Sequence, residues 1–166
     1  VLLMLVPEAA RAEHAHDHVP IGHVIRDPQV VALIVACALM AVAHGPYYTF
    51  YSLYLVDHGF TKAAVGWLWS VGVICEIAIF FWLAHLFRAF TLRQVLIASF
   101  ALAAIRFAVI AWCADHLWLL VIAQTLHAAS FGSFHASALG YVQRFFSGRH
   151  QARGQAIYTS LTFGLG

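Results

Sequence analysis

The sequence predicts an all-α integral membrane bundle, and three observations carry that prediction. Apolar residues make up 63% of the chain and charged residues 10%, and the mean hydropathy is +0.82. A soluble domain is about half apolar and about a quarter charged, so this chain has too few charges to cover its apolar surface in water. The apolar residues fall into runs long enough to cross a bilayer, separated by short polar connections. Finally, the arginines collect on alternate connections, as oriented membrane helices require.

In chain order, residues 1–6 read as the tail of a transmembrane helix, too short to span alone. Residues 7–28 read as a polar, histidine-rich cytoplasmic loop. Full spans follow at about 29–56, 63–87, 94–113 and 117–144, and residues 155–166 open a further helix that the chain cuts short. Each full run meets the roughly 20 residues that a bilayer helix needs at its 1.5 Å rise. Connections of a few residues make successive spans antiparallel neighbours, so residues 29–166 form one bundle. The absence of a starting methionine and the apolar end at Gly166 suggest a piece of a longer protein. A signal peptide fits poorly, because no basic stretch precedes Val1 and no clean cleavage site follows.

Arg11 and Arg26 precede the first full span, Arg88 and Arg93 join the second to the third, and Arg144, Arg149 and Arg153 follow the fourth. The opposite connections hold Lys62 with Asp57, and Asp115 alone. The arginine-rich side is therefore cytoplasmic. A formal charge of +2 gives no reason to expect nucleic acid. Cys37, Cys75 and Cys113 lie far apart in or beside apolar runs, without a disulfide framework. The loop histidines His14, His16, His18 and His23, with Asp17, lack a second ligand cluster. They read as part of a linker, and no metal or cofactor is expected.

A charge at mid-bilayer costs about 2.5 to 3.5 kcal/mol on insertion scales and needs a partner. Glu76 falls near the middle of the second span and Arg106 near the middle of the third. The expectation is that they interact, directly or through one water, as a proton or substrate site; the bland alternative is a structural ion pair. His44, Tyr47, Tyr48 and Tyr51 share one helical face beginning near mid-membrane, where an aromatic belt would not lie, and Pro46 is expected to kink that helix. Gln124, His127, Phe131 and His135 form a second polar stripe that must face protein or water. Ala128, Gly132, Ala136 and Gly140 make a small-residue seam beside it. Trp69, Gly72 and Glu76 form a third stripe, whose tryptophan suits either a ligand or the core.

These residues carry a resemblance. His44–Gly45–Pro46–Tyr47–Tyr48, Tyr51–Ser52–Leu53–Tyr54–Leu55, Gly59, Gly66–Trp67–Leu68–Trp69 and Gly72–Val73 stand in an ordered set. Glu76, Arg106, His127, Phe131–Gly132, His135, Gly154–Gln155–Ala156 and Tyr158 continue it. The set resembles the 3-phenylpropionate transporter family, a branch of the major facilitator superfamily, over roughly Arg26 to Gly166. The resemblance implies a twelve-helix protein in two halves, of which this chain holds the carboxy-terminal half: helices seven to ten complete, six and eleven in part. It implies that seven, eight, ten and eleven line a central cavity, with nine outside and Arg106 reaching inward.

The expected function is proton-coupled secondary transport, by alternating access, of a small organic solute, an aromatic or other carboxylate. Glu76 and Arg106 would couple protons; His44, Tyr47, Tyr48, Tyr51, Trp69, Gln124, His127 and His135 would bind substrate. The partners would be substrate and protons, the lipid of an inner membrane, and the missing amino-terminal half. The chain is not expected to be an enzyme. A non-transporting scaffold would show no ligand-dependent thermal shift. A redox protein, with His44 and His127 or His135 on a haem, would show a Soret band.

Overall fold

Short polar residues set the helix ends. The structure, a computed structural model, describes residues 21–164. The apolar run at 1–6, and Arg11, His14, His16, Asp17 and His18 of the loop, lie outside the described residues. The loop's last part is helical: α1 (Ile21–Arg26) carries His23. Asp27 then caps α2 (Pro28–Asp57), its carboxylate accepting the Gln29 backbone N–H at 2.7 Å. Pro28 sits where a missing N–H costs nothing. Gly59, at a φ of +85°, takes the left-handed turn into Thr61, which caps α3 (Lys62–Ala89). Thr91 and Gln94 form a reciprocal capping box at the start of α4 (Leu92–Trp112).

The fourth span is interrupted. It comprises α5 (Leu117–His127), a π-helical turn at Ala128–Gly132, and α6 (Ser133–Phe145). A short 3₁₀ turn leads into α7 (Gln151–Gly164). At 21 residues or more, all four spans are long enough to cross hydrocarbon. α2 stays helical through Pro46. No strand occurs among the described residues.

The fourth span is the hub: it packs on α2, α3, α4 and α7, whereas α3 and α4 touch each other little despite their two-residue connection. Of the sequence-neighbour pairs, α4 and the fourth span pack closely, whereas α2 with α3 and α3 with α4 pack little. The small residues explain the geometry. A Cβ on Gly132 would lie 3.0 Å from Ile79 of α3, and one on Gly140 would lie 3.1 Å from Leu92 of α4. The predicted seam thus admits two helices, one at each glycine.

Helix directions follow from paired residues. Trp69 near the start of α3 meets Ser52 near the end of α2, and Leu92 at the start of α4 adjoins Gly140 near the end of α6. Tyr54 and Ile110 pair near the ends of α2 and α4. The spans alternate in direction, so Arg26, Arg88, Arg93, Arg144 and Arg153 gather at one end of the bundle. The outer surface is apolar: Trp67, Phe81, Trp82 and Trp112 are all exposed. Side chains of this kind belong in lipid.

Inside lie two apolar clusters. One contains Val30, Leu33, Cys37 and Met40 of α2 with Ala103, Phe134, Ala138 and Val142. The other contains Tyr47, Tyr51 and Leu55 of α2 with Val65, Leu68, Ile110, Leu120 and Ala123. In each helix the residues that separate the clusters are polar: His44 in α2, Arg106 in α4, and Gln124 and His127 in α5. All four are buried. A polar layer therefore divides the core at mid-membrane.

Candidate functional site

The layer is built from the middle turns of four spans. Glu76 of α3 places Oε1 3.2 Å from Nε2 of His127. The Tyr48 hydroxyl stands 3.3 Å from the same nitrogen. His127 is buried, while the Glu76 side chain retains 29% exposure. A carboxylate and an imidazole thus stand within hydrogen-bond reach of each other, the imidazole buried and the carboxylate partly exposed. His127 Nδ1 has no hydrogen-bond partner.

Glu76 and Arg106, expected to interact directly or through one water, form no direct ion pair. The Arg106 guanidinium, fully buried, lies instead between two rings, 4.3 Å from the centre of Tyr47 and 4.5 Å from that of Phe107. None of its three nitrogens finds an acceptor. The Tyr47 hydroxyl donates to Gln124 Oε1 at 2.9 Å, and it is the Tyr47 ring face that meets the guanidinium. Two aromatic faces offset part of the cost of burying the charge, about 2 kcal/mol when desolvated. Depth along the helices placed Glu76 and Arg106 together, but the aromatic faces claim the guanidinium first.

Most of the predicted binding residues form one cluster. His44, Tyr47, Tyr48, Tyr51 and Trp69 are linked by successive ring contacts. Trp69 stacks on Tyr48 and donates through Nε1 to Ser52 Oγ at 3.0 Å, tying α3 to α2. Gln124 joins through Tyr47, and His127 through Tyr48. His44, Tyr47 and Tyr51 are buried, whereas Tyr48 is half-exposed beside Glu76. His135 stands apart: its Nδ1 is 3.1 Å from the Tyr158 hydroxyl of α7. The stripe on the fourth span crosses several neighbours, so its members face different helices.

Sequence reasoning missed Phe107, Gly72 as a spacer, and the Ser99–Ser133 pair, whose hydroxyls meet at 2.9 Å between α4 and α6. A Cβ on Gly72 would lie 3.0 Å from Gln124 Oε1, so the missing side chain is what lets α5 reach α3. The π-helical turn begins one residue after His127; such turns recur at functional positions. The His44 and His127 rings lie 5.8 Å apart with Phe131 against both.

Fold and site define a multi-pass helical membrane protein with an ionisable layer enclosed at mid-bilayer. The chain belongs to the MFS_1 like family, whose sequence profile matches residues 4–166, and with it to the major facilitator superfamily. A curated relative from Escherichia coli (strain K12), the probable 3-phenylpropionic acid transporter, is 34% identical over 130 residues. That match covers 78% of this chain and 34% of the relative, so the chain spans about a third of the relative's length. No solved structure matches the chain significantly.

Proposed function

We propose that the protein is a proton-coupled secondary transporter of a small aromatic or other carboxylate. In this reading the four spans are helices seven to ten of a twelve-helix protein in an inner membrane, and α7 is the start of helix eleven. They would rock against an amino-terminal half about a midplane site. The curated relative's name supports the substrate class. The observation that carries the reading is the Glu76–His127 pair, a carboxylate on an imidazole inside the mid-membrane layer.

Charge balance supplies the coupling. Arg106 brings one fixed positive charge into a layer of low dielectric, where an unpaired charge is costly. One anion is needed nearby. With the site empty, ionised Glu76 fills that role. When a carboxylate solute enters, its charge takes over, and Glu76 carries a proton. Each ligand thus favours the other, and solute and proton move together. Protonation also loosens the hold of Glu76 on His127, freeing α3 from α5 for the change of state.

The test is Glu76→Gln in the complete protein. The variant should insert normally and exchange labelled carboxylate across the membrane without a proton gradient, yet fail to accumulate it when a gradient is imposed. Undiminished gradient-driven accumulation would remove Glu76 from the mechanism. A protein that neither carries nor binds any carboxylate would support a scaffold instead.

A further inference from the structure

We infer that the groove between α3 and α4 seats one acyl chain of an anionic phospholipid, whose headgroup is held at the Arg88–Arg93 end. The inference stands apart from the transport reading and concerns what the bilayer supplies to the protein.

The groove follows from the fold. α3 and α4 are joined by Phe90 and Thr91 alone, yet they pack little on each other, because both lean on the fourth span. The space between them holds about 380 Å³. Leu86 and Phe90 of α3 and Gln94 of α4 line one end, Ile79 and Leu102 the other. From Leu86 back to Ile79, or from Gln94 on to Leu102, the helix rises about 10–12 Å. One leaflet of hydrocarbon is about 15 Å deep, half of the bilayer's apolar core. The groove therefore runs from headgroup level to near the midplane, which is the course of a lipid chain.

Its walls suit hydrocarbon. The lining is apolar apart from Gln94, Ser99 and Ser133. The two serines are satisfied: their hydroxyls meet at 2.9 Å, and each also reaches a carbonyl one turn back in its own span. This floor leaves no polar atom calling for water. Phe90, Gln94 and Ala98 of the lining are exposed, so the groove opens outward. Left unfilled in a bilayer, it would forfeit dispersion contacts along both helices.

The arginine-bearing end supplies the charge. Arg88 lies two residues before Phe90, and Arg93 immediately precedes Gln94. Both are exposed, and neither has an ion-pair partner among the described residues. Gln94 Oε1 accepts from the Thr91 backbone and hydroxyl, so its NH₂ group remains to donate to a phosphate oxygen. Two free cations and a donor amide at the end of an apolar groove match a phosphate that carries a chain. Basic residues at this level favour an anionic headgroup over a zwitterionic one. The other end reaches the ionisable layer. Ile79 stands one turn beyond Glu76, and Ala129, also in the lining, belongs to the π-helical turn after His127. A seated chain thus braces α3 against the fourth span beside the Glu76–His127 pair.

The test takes the complete protein, stripped of lipid in a neutral detergent, and titrates it with dioleoyl phosphatidylglycerol or dioleoyl phosphatidylcholine. Native mass spectrometry counts the lipids bound. One phosphatidylglycerol should bind about tenfold more tightly than phosphatidylcholine. Arg88→Gln combined with Arg93→Gln should erase that preference. Arg153→Gln should leave it intact, because α7 packs on α2 and α6 and not on the groove. Ala98→Trp, a change on the exposed rim that fills the groove, should lose both lipids. Equal affinity for the two lipids, or an equal loss in the Arg153 variant, would overturn the headgroup site. Unchanged binding by Ala98→Trp would overturn the groove as the seat of the chain. Displacement of the lipid by glycerol phosphate would make the site one for a free phosphate and overturn the lipid. So would a photoreactive residue in place of Ala98 that cross-links, in membranes, to another helix of the protein and not to lipid.

Discussion

Glu76 and His127 meet at 3.2 Å across α3 and α5, and the residue they do not include is as informative as the contact. Arg106 occupies the same layer, buried between two rings and without an acceptor. The layer therefore holds a carboxylate–imidazole pair and, apart from it, a guanidinium packed between rings.

The two histidines of the fourth span should behave differently. His127 touches Glu76 and Tyr48, whereas His135 touches Tyr158. His127→Gln should therefore abolish gradient-driven accumulation in the complete protein, while His135→Gln should leave it standing. Vesicle uptake with an imposed pH gradient reads both. Equal loss in the two variants would place the proton on a longer histidine chain.

Arg106→Met should leave the fold as stable as before, or more so, while stopping carboxylate transport. The substitution removes about 2 kcal/mol of cation–ring attraction, but it also removes a fully buried charge with no carboxylate against it, whose desolvation costs several kcal/mol. The second effect is larger, and methionine fills a similar volume. Replacing buried ionic groups by packed apolar ones is neutral or stabilising by about 1–4 kcal/mol. A thermal unfolding midpoint that drops sharply in detergent would mean that the guanidinium has acceptors after all.

Gly72→Ala should destabilise by about 1–3 kcal/mol, the usual cost of overpacking. Its new Cβ would stand 3.0 Å from Gln124 Oε1, and the amide could move only by giving up the Tyr47 hydroxyl. In a Gln124→Ala background the same change should cost much less, because the obstruction is gone. A double-mutant cycle on thermal stability measures the difference. Strict additivity would show that α5 yields in some other way.

The spans were legible because lipid enforces them: a bilayer leaves its mark on every residue of a 20-residue run, and Asp27, Thr61 and Thr91 announce where three helices begin. The site was legible as a set of types but not as a set of pairs. Counting residues gives depth, and depth alone put Glu76 level with Arg106; which way each side chain points depends on crossing angles that no run of apolar letters records. His127 and His135 lie on one stripe in sequence yet meet α3 and α7. The π-helical turn between them carries no composition of its own, since AASFG is an unremarkable helical string. Phe107 was invisible for a related reason, being a single residue whose meaning comes only from what packs against it.

Gly154 gives a sharp test of the packing of α7. Ala is the better helix former by about 1 kcal/mol, so on propensity alone Gly154→Ala should stabilise α7. Sterically it should do the reverse. A Cβ at this position would overlap the Phe146 side chain, which is almost fully buried in the first apolar cluster beside Tyr158. That ring sits directly after α6 and has no free side to retreat to, so overlap should outweigh propensity and cost about 1–3 kcal/mol net. Shrinking the ring with Phe146→Leu should then recover part of the loss in the double variant, although the single change leaves a void. Thermal unfolding of the four proteins decides the matter. A stabilised Gly154→Ala would mean that α7 rides freely on the bundle at this point.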